Sequence, residues 1–352
     1  MTAAPAVKTG RNTSMECCKL VAAFFVIFNH APLPGNLGKI IDCLGHFAVP
    51  MFFAISGYFN YQATGKQIRR RTWHIVKLLV IGTVAHLCYG CLATELNGGS
   101  TIAYLRAAIP DPIEVLNFIV LHKHPYAGHL WYLVALIACY LVFYAYTRFC
   151  ETGRVNYRPF YILCLGLFCV TFALDTITSA TSLEEVSFFA RNGWFAGLPM
   201  FGFGLFLHQY QEPIFRAFQL PGRKLFLLIL AGAALSILQS QTTGIGMLPL
   251  GTLISVAALM LFLISHPKVP VTSPAMERLV LSFGPISTWI YLLHLIFVLF
   301  YGSFCQPYFA ALWGEMEPYL GPVLIAAVSL VTAVVCEVLS QAFRGMRKKR
   351  AK

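Results

Sequence analysis

The chain has 352 residues, of which 58% are hydrophobic and only 11% charged, and its mean hydropathy is +0.69. Soluble domains carry about 25% charged residues, so these values exclude a soluble globular protein, and the absence of short alternating segments excludes a membrane β-barrel. The net charge of +12 would suit a nucleic-acid partner, but its distribution along the chain points to a membrane instead.

Ten apolar runs fit helices at roughly 16–34, 40–62, 75–95, 129–148, 159–176, 194–211, 224–240, 247–266, 279–303 and 320–342. With the chain started inside, 22 of the 26 Lys and Arg residues fall on the inner segments, and only Lys39, Arg106, Lys123 and Arg191 fall outside. This asymmetry predicts an all-α, polytopic membrane protein with both termini in the cytoplasm. The expected layout is a cytoplasmic tail over 1–15, a transmembrane domain over 16–342 and a basic cytoplasmic tail over 343–352. No soluble domain is expected on either side, and the first run lacks the cleavage pattern of a signal peptide.

The first run contains Lys19 and His30, eleven residues apart. On a helix they differ by roughly 20° in direction and by roughly 16 Å along the axis, so they share one face at two depths. A cation at one end could hold phosphates while the imidazole meets a thioester at the other, a gap that suits an extended pantetheine arm. The bland alternative has Lys19 reaching for lipid headgroups and His30, beside Asn29, bonded to a neighbouring helix.

In the second run, HFAVPMFFAISGYF over 46–59, Pro50 loosens the backbone and Gly57 permits close helix approach. Ser56 is either a nucleophile, an orienting group or a donor to its own helix; Tyr58 stands beside it. Just inside follows KQIRRRTWHIVK over 66–77. Its cations suit either anionic lipid or the phosphates of an anionic co-substrate, because arginine pairs with phosphate in a bidentate manner. Cys88 and Cys91 form a lone CxxC near the outer end of the third run, with helix packing as the default reading.

At the start of the fourth run, AGHLWYLVAL over 127–136 brings His129 and Trp131 to the outer interface, as substrate contacts or as members of the aromatic belt. Asp175, Arg191 and Asn192 are further polar residues at the outer side or at membrane depth. His294 lies well inside the ninth run and Glu337 inside the last. Ionisable groups at such depth are functional candidates by default, against the alternative of a satisfied helix–helix bond.

Taken in this order, these residues resemble the acyltransferase-3 family of polytopic membrane acyltransferases. Glu16, Lys19 and His30 match its opening acidic, basic and histidine pattern. PMFFAISGYF over 50–59 resembles its second motif, HLWYLVAL over 129–136 the start of its fourth helix, and RNGWFAGLPMFGFGLFL over 191–207 and IYLLHLIFVL over 290–299 later segments. The chain departs from the family in one respect. An Arg-x-x-Arg often follows the second helix, and here the registers are Arg71-Thr-Trp-His74 or Lys66-x-x-Arg69, which leaves the clamp somewhere in 66–77.

The resemblance implies an O-acyltransferase of a bacterial inner membrane. It would move an acyl group, expected to be acetyl, from cytoplasmic acyl-CoA to a hydroxyl of an envelope glycan or lipid-linked sugar. On this reading Lys19, Arg69, Arg70 and Arg71 hold the CoA phosphates. His30 is the general base, or carries an acyl intermediate. Ser56, Tyr58, Asn29 and Arg191 orient the acceptor or stabilise an oxyanion, with His129, Trp131 and His294 as further substrate contacts. No metal and no nucleic acid are expected; membrane lipids are. The rival readings are a transporter or flippase, and a ligand-binding membrane module serving a partner enzyme.

Overall fold

The computed structural model describes residues 12–150, 155–181, 192–242 and 249–350. The described residues are helical, with no strand among them. In chain order the helices are α1 (Thr13–His30), α2 (Gly35–Gly45), α3 (Ala48–Tyr58), α4 (Gly65–Leu96), α5 (Thr101–Ala107), α6 (Pro112–Val120) and α7 (Trp131–Phe149). They continue with α8 (Arg158–Thr181), α9 (Leu198–Phe218), α10 (Gly222–Thr242), α11 (Leu250–Ser265), α12 (Pro274–Phe300), α13 (Gln306–Trp313) and α14 (Glu317–Arg350).

Among the described residues, five helical runs are long and apolar enough to cross a membrane: Gly35–Tyr58, Gly65–Leu96, Gly128–Phe149, Gly222–Gln241 and Pro274–Met346. The last contains α12 and α14, separated by the short elements at 301–316. The chain is therefore a multi-pass membrane protein. Several expected boundaries differ from the observed ones, each for a local reason. The run expected at 40–62 is broken between α2 and α3. Pro50 has no N–H to offer His46 and its ring crowds that carbonyl, and the break falls at His46–Phe47.

The third run begins ten residues earlier than expected, because Thr64 and Gln67 form a reciprocal capping box (Gln67 N to Thr64 Oγ1 3.3 Å, Thr64 N to Gln67 Oε1 2.8 Å). The basic stretch 66–77 is thus the first part of a 32-residue helix. Between α4 and α7, where no helix was expected, α5 is capped by Ser100 and α6 by an Asp111–Glu114 box with Pro112 in its first turn.

The largest core joins α3, α7, α8 and α9 around the buried rings of Phe53, Phe143, Phe160 and Phe201. A separate one joins α1, α12 and α14 through Ala23, Ile27, Ile286, Ile290 and Ile325. Two glycines set the spacing of α3 and α9. A Cβ on Gly57 would lie 1.9 Å from the Phe201 carbonyl oxygen, and one on Gly204 would lie 1.9 Å from that of Ala54. The backbones meet where a larger residue would part them, as small-residue contacts between membrane helices do. Asn12 closes the start of α1, accepting from Met15 N (2.9 Å) and donating to the Leu263 carbonyl at the end of α11 (2.9 Å).

Candidate active site

Helices α1 and α12 pack side by side and run parallel. Glu16 and Lys19 meet Gly284, where an added Cβ would lie 1.7 Å from Glu16 Oε2 and 2.8 Å from Lys19 Nζ. Eleven residues further along α1, His30 meets His294, ten residues further along α12, with ring centroids 5.3 Å apart. The two helices thus carry a charged level and a histidine level, separated by about 16 Å of helix rise.

At the histidine level two more rings join. The His129 ring lies 4.9 Å from that of His294, 6.3 Å from that of His30 and 5.0 Å from that of His86 on α4. Gly82 lets α4 come this close. An added Cβ there would meet Leu292 at 3.1 Å and Leu130 at 3.2 Å, one turn before His86. The Tyr291 hydroxyl donates to the His129 carbonyl, which holds the 128–130 turn at the start of α7 against α12. His86, His129 and His294 are buried, while His30 is the exposed member.

Their hydrogen bonds fix what the rings present. His294 Nδ1 contacts the carbonyls of Tyr291 (2.9 Å) and Ile290 (3.1 Å), and His86 Nδ1 that of Gly82 (2.8 Å). A carbonyl only accepts, so Nδ1 carries the proton in both, and in the neutral ring Nε2 is a bare acceptor. Both Nε2 atoms are buried without a protein partner, as are both ring nitrogens of His129. The backbone of Leu292 also lies against the His129 ring, short of a hydrogen bond of normal geometry. Among the described residues, no three His, Cys, Asp or Glu side chains are placed to hold a metal ion together.

A line of polar side chains leads from this level toward the start of α4. The rings of Tyr291 and Tyr132 lie 5.5 Å apart. Ser56 interacts with Tyr132 and with Tyr140, and Tyr140 in turn with Asn60 and Arg71. Asn60 donates to the Ser56 carbonyl (2.7 Å), and Arg71 donates to Asn60 Oδ1 and the Phe59 carbonyl (both 2.8 Å). The two tyrosines, Tyr291 and Asn60 are buried.

The residues singled out from the sequence therefore separate into groups. His30, His129 and His294 come together. Asn29 does not join them: its side chain turns to α2, where Gly45 leaves room for it, and its Oδ1 is buried without a hydrogen bond. Trp131 packs its ring on Phe53 (6.4 Å). Ser56 belongs to the polar line. Tyr58 turns toward α9, donating to Gln211 Oε1 (3.1 Å) while its carbonyl accepts from His208 Nδ1 (2.8 Å).

At the charged level Lys19 is paired with Glu16 at 2.7 Å, so it is not an isolated cation. Arg69, Arg70 and Arg71 splay apart at about 100° per residue. Only Arg71 turns into the bundle, while Arg69 and Arg70 are exposed. Lys77 sits 5.8 Å over the Trp73 ring, and both Lys77 and Arg344 act on His74, which brings the end of α14 beside the basic stretch. Glu337, whose partner the sequence did not name, accepts from Arg344 (2.8 Å) and Gln341 (2.9 Å). Cys88 and Cys91 are free thiols on α4. Arg191 and most of the N-terminal tail lie outside the described residues, as does the Asp175 side chain. Asn192 is the cap of the turn before α9, its Oδ1 accepting from Trp194 N (2.9 Å) and Phe195 N (3.1 Å).

His86 is the member of the cluster that sequence reasoning missed. The signal was present, an imidazole inside an apolar run, five residues before the end of the lone CxxC. Compared with known proteins, residues 12–340 match the model of the family described as Acyl_transf_3, an acyltransferase domain. No curated protein and no solved structure matches the chain.

Proposed function

Because this chain belongs to the acyltransferase-3 family, we propose that it transfers an acyl group, acetyl by preference, from cytoplasmic acyl-CoA to a hydroxyl of an extracytoplasmic envelope glycan or lipid-linked sugar. In this reading it spans the inner membrane of a bacterium ten times, with both termini in the cytoplasm, as the charge asymmetry favours. The observation that carries the proposal is the pair of levels on α1. The exposed His30 touches His129 and His294 at one end, and Lys19 lies about three turns away at the other.

CoA docks with its phosphates on the exposed Arg69 and Arg70 and on Arg71 and Lys19, the last once Glu16 shares it. The pantetheine arm runs along the bundle toward the histidine level. There His30 takes the proton of the acceptor hydroxyl as its oxygen attacks the thioester carbonyl. The carbon–sulfur bond breaks, and the CoA thiolate leaves and recovers the proton from the imidazolium.

Inverted membrane vesicles supplied with acyl-CoA labelled in the acyl group test this. Label on membrane-bound glycan or lipid-linked sugar, lost in His30→Ala, is the expected result. Label that stays on CoA, with or without movement of a solute, would overturn it in favour of a transporter or a sensing module.

A further inference from the structure

The buried part of the histidine level has an excess of hydrogen-bond acceptors. The Nε2 atoms of His86 and His294 are bare lone pairs by the argument from their Nδ1 partners, and His129 adds one lone pair and one N–H. All three rings are at least nine-tenths buried: His86 is 4%, His129 4% and His294 0% exposed. A buried polar atom without a partner costs about 1–3 kcal/mol, and the cost is no smaller at membrane depth. Three such rings on three different elements, α4, the start of α7 and α12, therefore gather acceptors that the described residues leave unmet and that a ligand rich in donors would satisfy.

The chemistry limits what that ligand is. A thioester carbonyl has no proton to give, so it does not complement two bare nitrogens. A metal ion would, but no three side chains among the described residues are placed for one. A group with two O–H donors and an oxygen to accept from His129 complements all three rings. We infer that His86 and His294 form an acceptor subsite that binds two adjacent hydroxyls of a sugar, one on each Nε2, with His129 donating to one of the two oxygens.

This inference rests on the acyl-transfer reading and deepens it. The acceptor is a vicinal diol; the hydroxyl resting on His294, whose ring is beside that of His30, turns its proton from His294 Nε2 to His30 as its oxygen attacks, and that oxygen is the one acylated. His86 is then a positioning residue. It does not meet the acyl group, and it holds the neighbouring hydroxyl so that the reacting one faces His30.

The test uses detergent-solubilised full-length protein and the methyl pyranosides of glucose, galactose and mannose, each beside its 3-deoxy counterpart, which has no adjacent hydroxyl pair. The expected result is that at least one parent glycoside raises the thermal unfolding temperature of the wild type and its 3-deoxy form does not. In transfer assays the parent has a KM lower by about threefold to tenfold, the worth of one hydrogen bond. His86→Phe removes that difference and leaves the KM for acyl-CoA unchanged, whereas His86→Gln, which keeps an acceptor oxygen, restores it.

Equal behaviour of parent and 3-deoxy glycosides with the wild type overturns the subsite, as does activity that follows added zinc and vanishes with a chelator. The thermal comparison needs no acyl donor. Diol-dependent stabilisation without transfer therefore refutes the transfer reading and keeps the subsite, while transfer with equal KM values refutes the subsite and keeps the reading.

Discussion

The contact between α3 and α9 gives the sharpest prediction about how the bundle is held. Gly57→Ala would set a methyl carbon 1.9 Å from the Phe201 carbonyl oxygen, and Gly204→Ala would set one 1.9 Å from the Ala54 carbonyl oxygen. A carbon–oxygen contact needs about 3.3 Å, so either substitution must part the helices by about 1.4 Å. Gaps of half to one ångström already forfeit a quarter to a half of the dispersion well between facing atoms, and overpacking of this kind costs about 1–3 kcal/mol. The same outward movement relieves both clashes, because each glycine lies opposite the turn that carries the other's partner. The double substitution is therefore expected to cost about 1 kcal/mol less than the sum of the singles, the size of coupling seen between residues in contact. Unfolding midpoints of the four proteins in mixed micelles read this directly. Because α3 carries Ser56 and leads into the turn that holds Asn60, the singles are also expected to raise the KM for acyl-CoA through the lost seat of Arg71. Neutral single substitutions, or strictly additive ones, would refute the reasoning.

Other consequences follow from the charged groups and the thiols. Lys19→Ala removes the cation 2.7 Å from Glu16, so adding Glu16→Gln is expected to recover about 1 kcal/mol of stability without restoring the KM for acyl-CoA; a restored KM would move the phosphate site away from Lys19. Arg344→Ala leaves the buried Glu337 carboxylate with only Gln341, and is expected to cost more than Glu337→Gln by about 1 kcal/mol after allowance for the exposure of the arginine, measured by the same unfolding assay. Cys88→Ser with Cys91→Ser is expected to leave transfer unchanged and indifferent to reductant; a loss of activity restored by an oxidant would give the CxxC a redox role.

The sequence made part of this architecture legible. Imidazoles inside apolar runs stand out, which is why His30 and His294 could be named before their rings were known to meet; His129 was expected at the wet outer interface and is instead buried against them. Pro50 announced the weak point of the second run, and the break indeed falls at its i−4 residue. What the sequence hid depends on contacts between distant elements. The spacing of Glu16 and Lys19 allows an ion pair, but nothing local says that the pair packs against Gly284 of α12. Nothing local turns Asn29 toward Gly45 or Tyr58 toward Gln211, since helix periodicity gives a direction but not the neighbour found there. The helices α5 and α6 are seven and nine residues long, too short for a periodic pattern, although the Asp111-Pro112-x-Glu114 cap was there to be read. His86 was visible in the same way as His294 but gained meaning only when Gly82 let α4 approach α7 and α12.

The central claim is that an acyl-CoA thioester reaches His30 from the far end of α1. Cryo-electron microscopy of the protein with a non-hydrolysable acyl-CoA thioether tests it most directly. The account predicts phosphates against Lys19 and the Arg69–Arg71 stretch, with the sulfur within about 4 Å of the His30 ring, the reach at which the ring can take the proton from a hydroxyl attacking the thioester. A sulfur resting at the charged level, or a coenzyme bound away from α1, would contradict it.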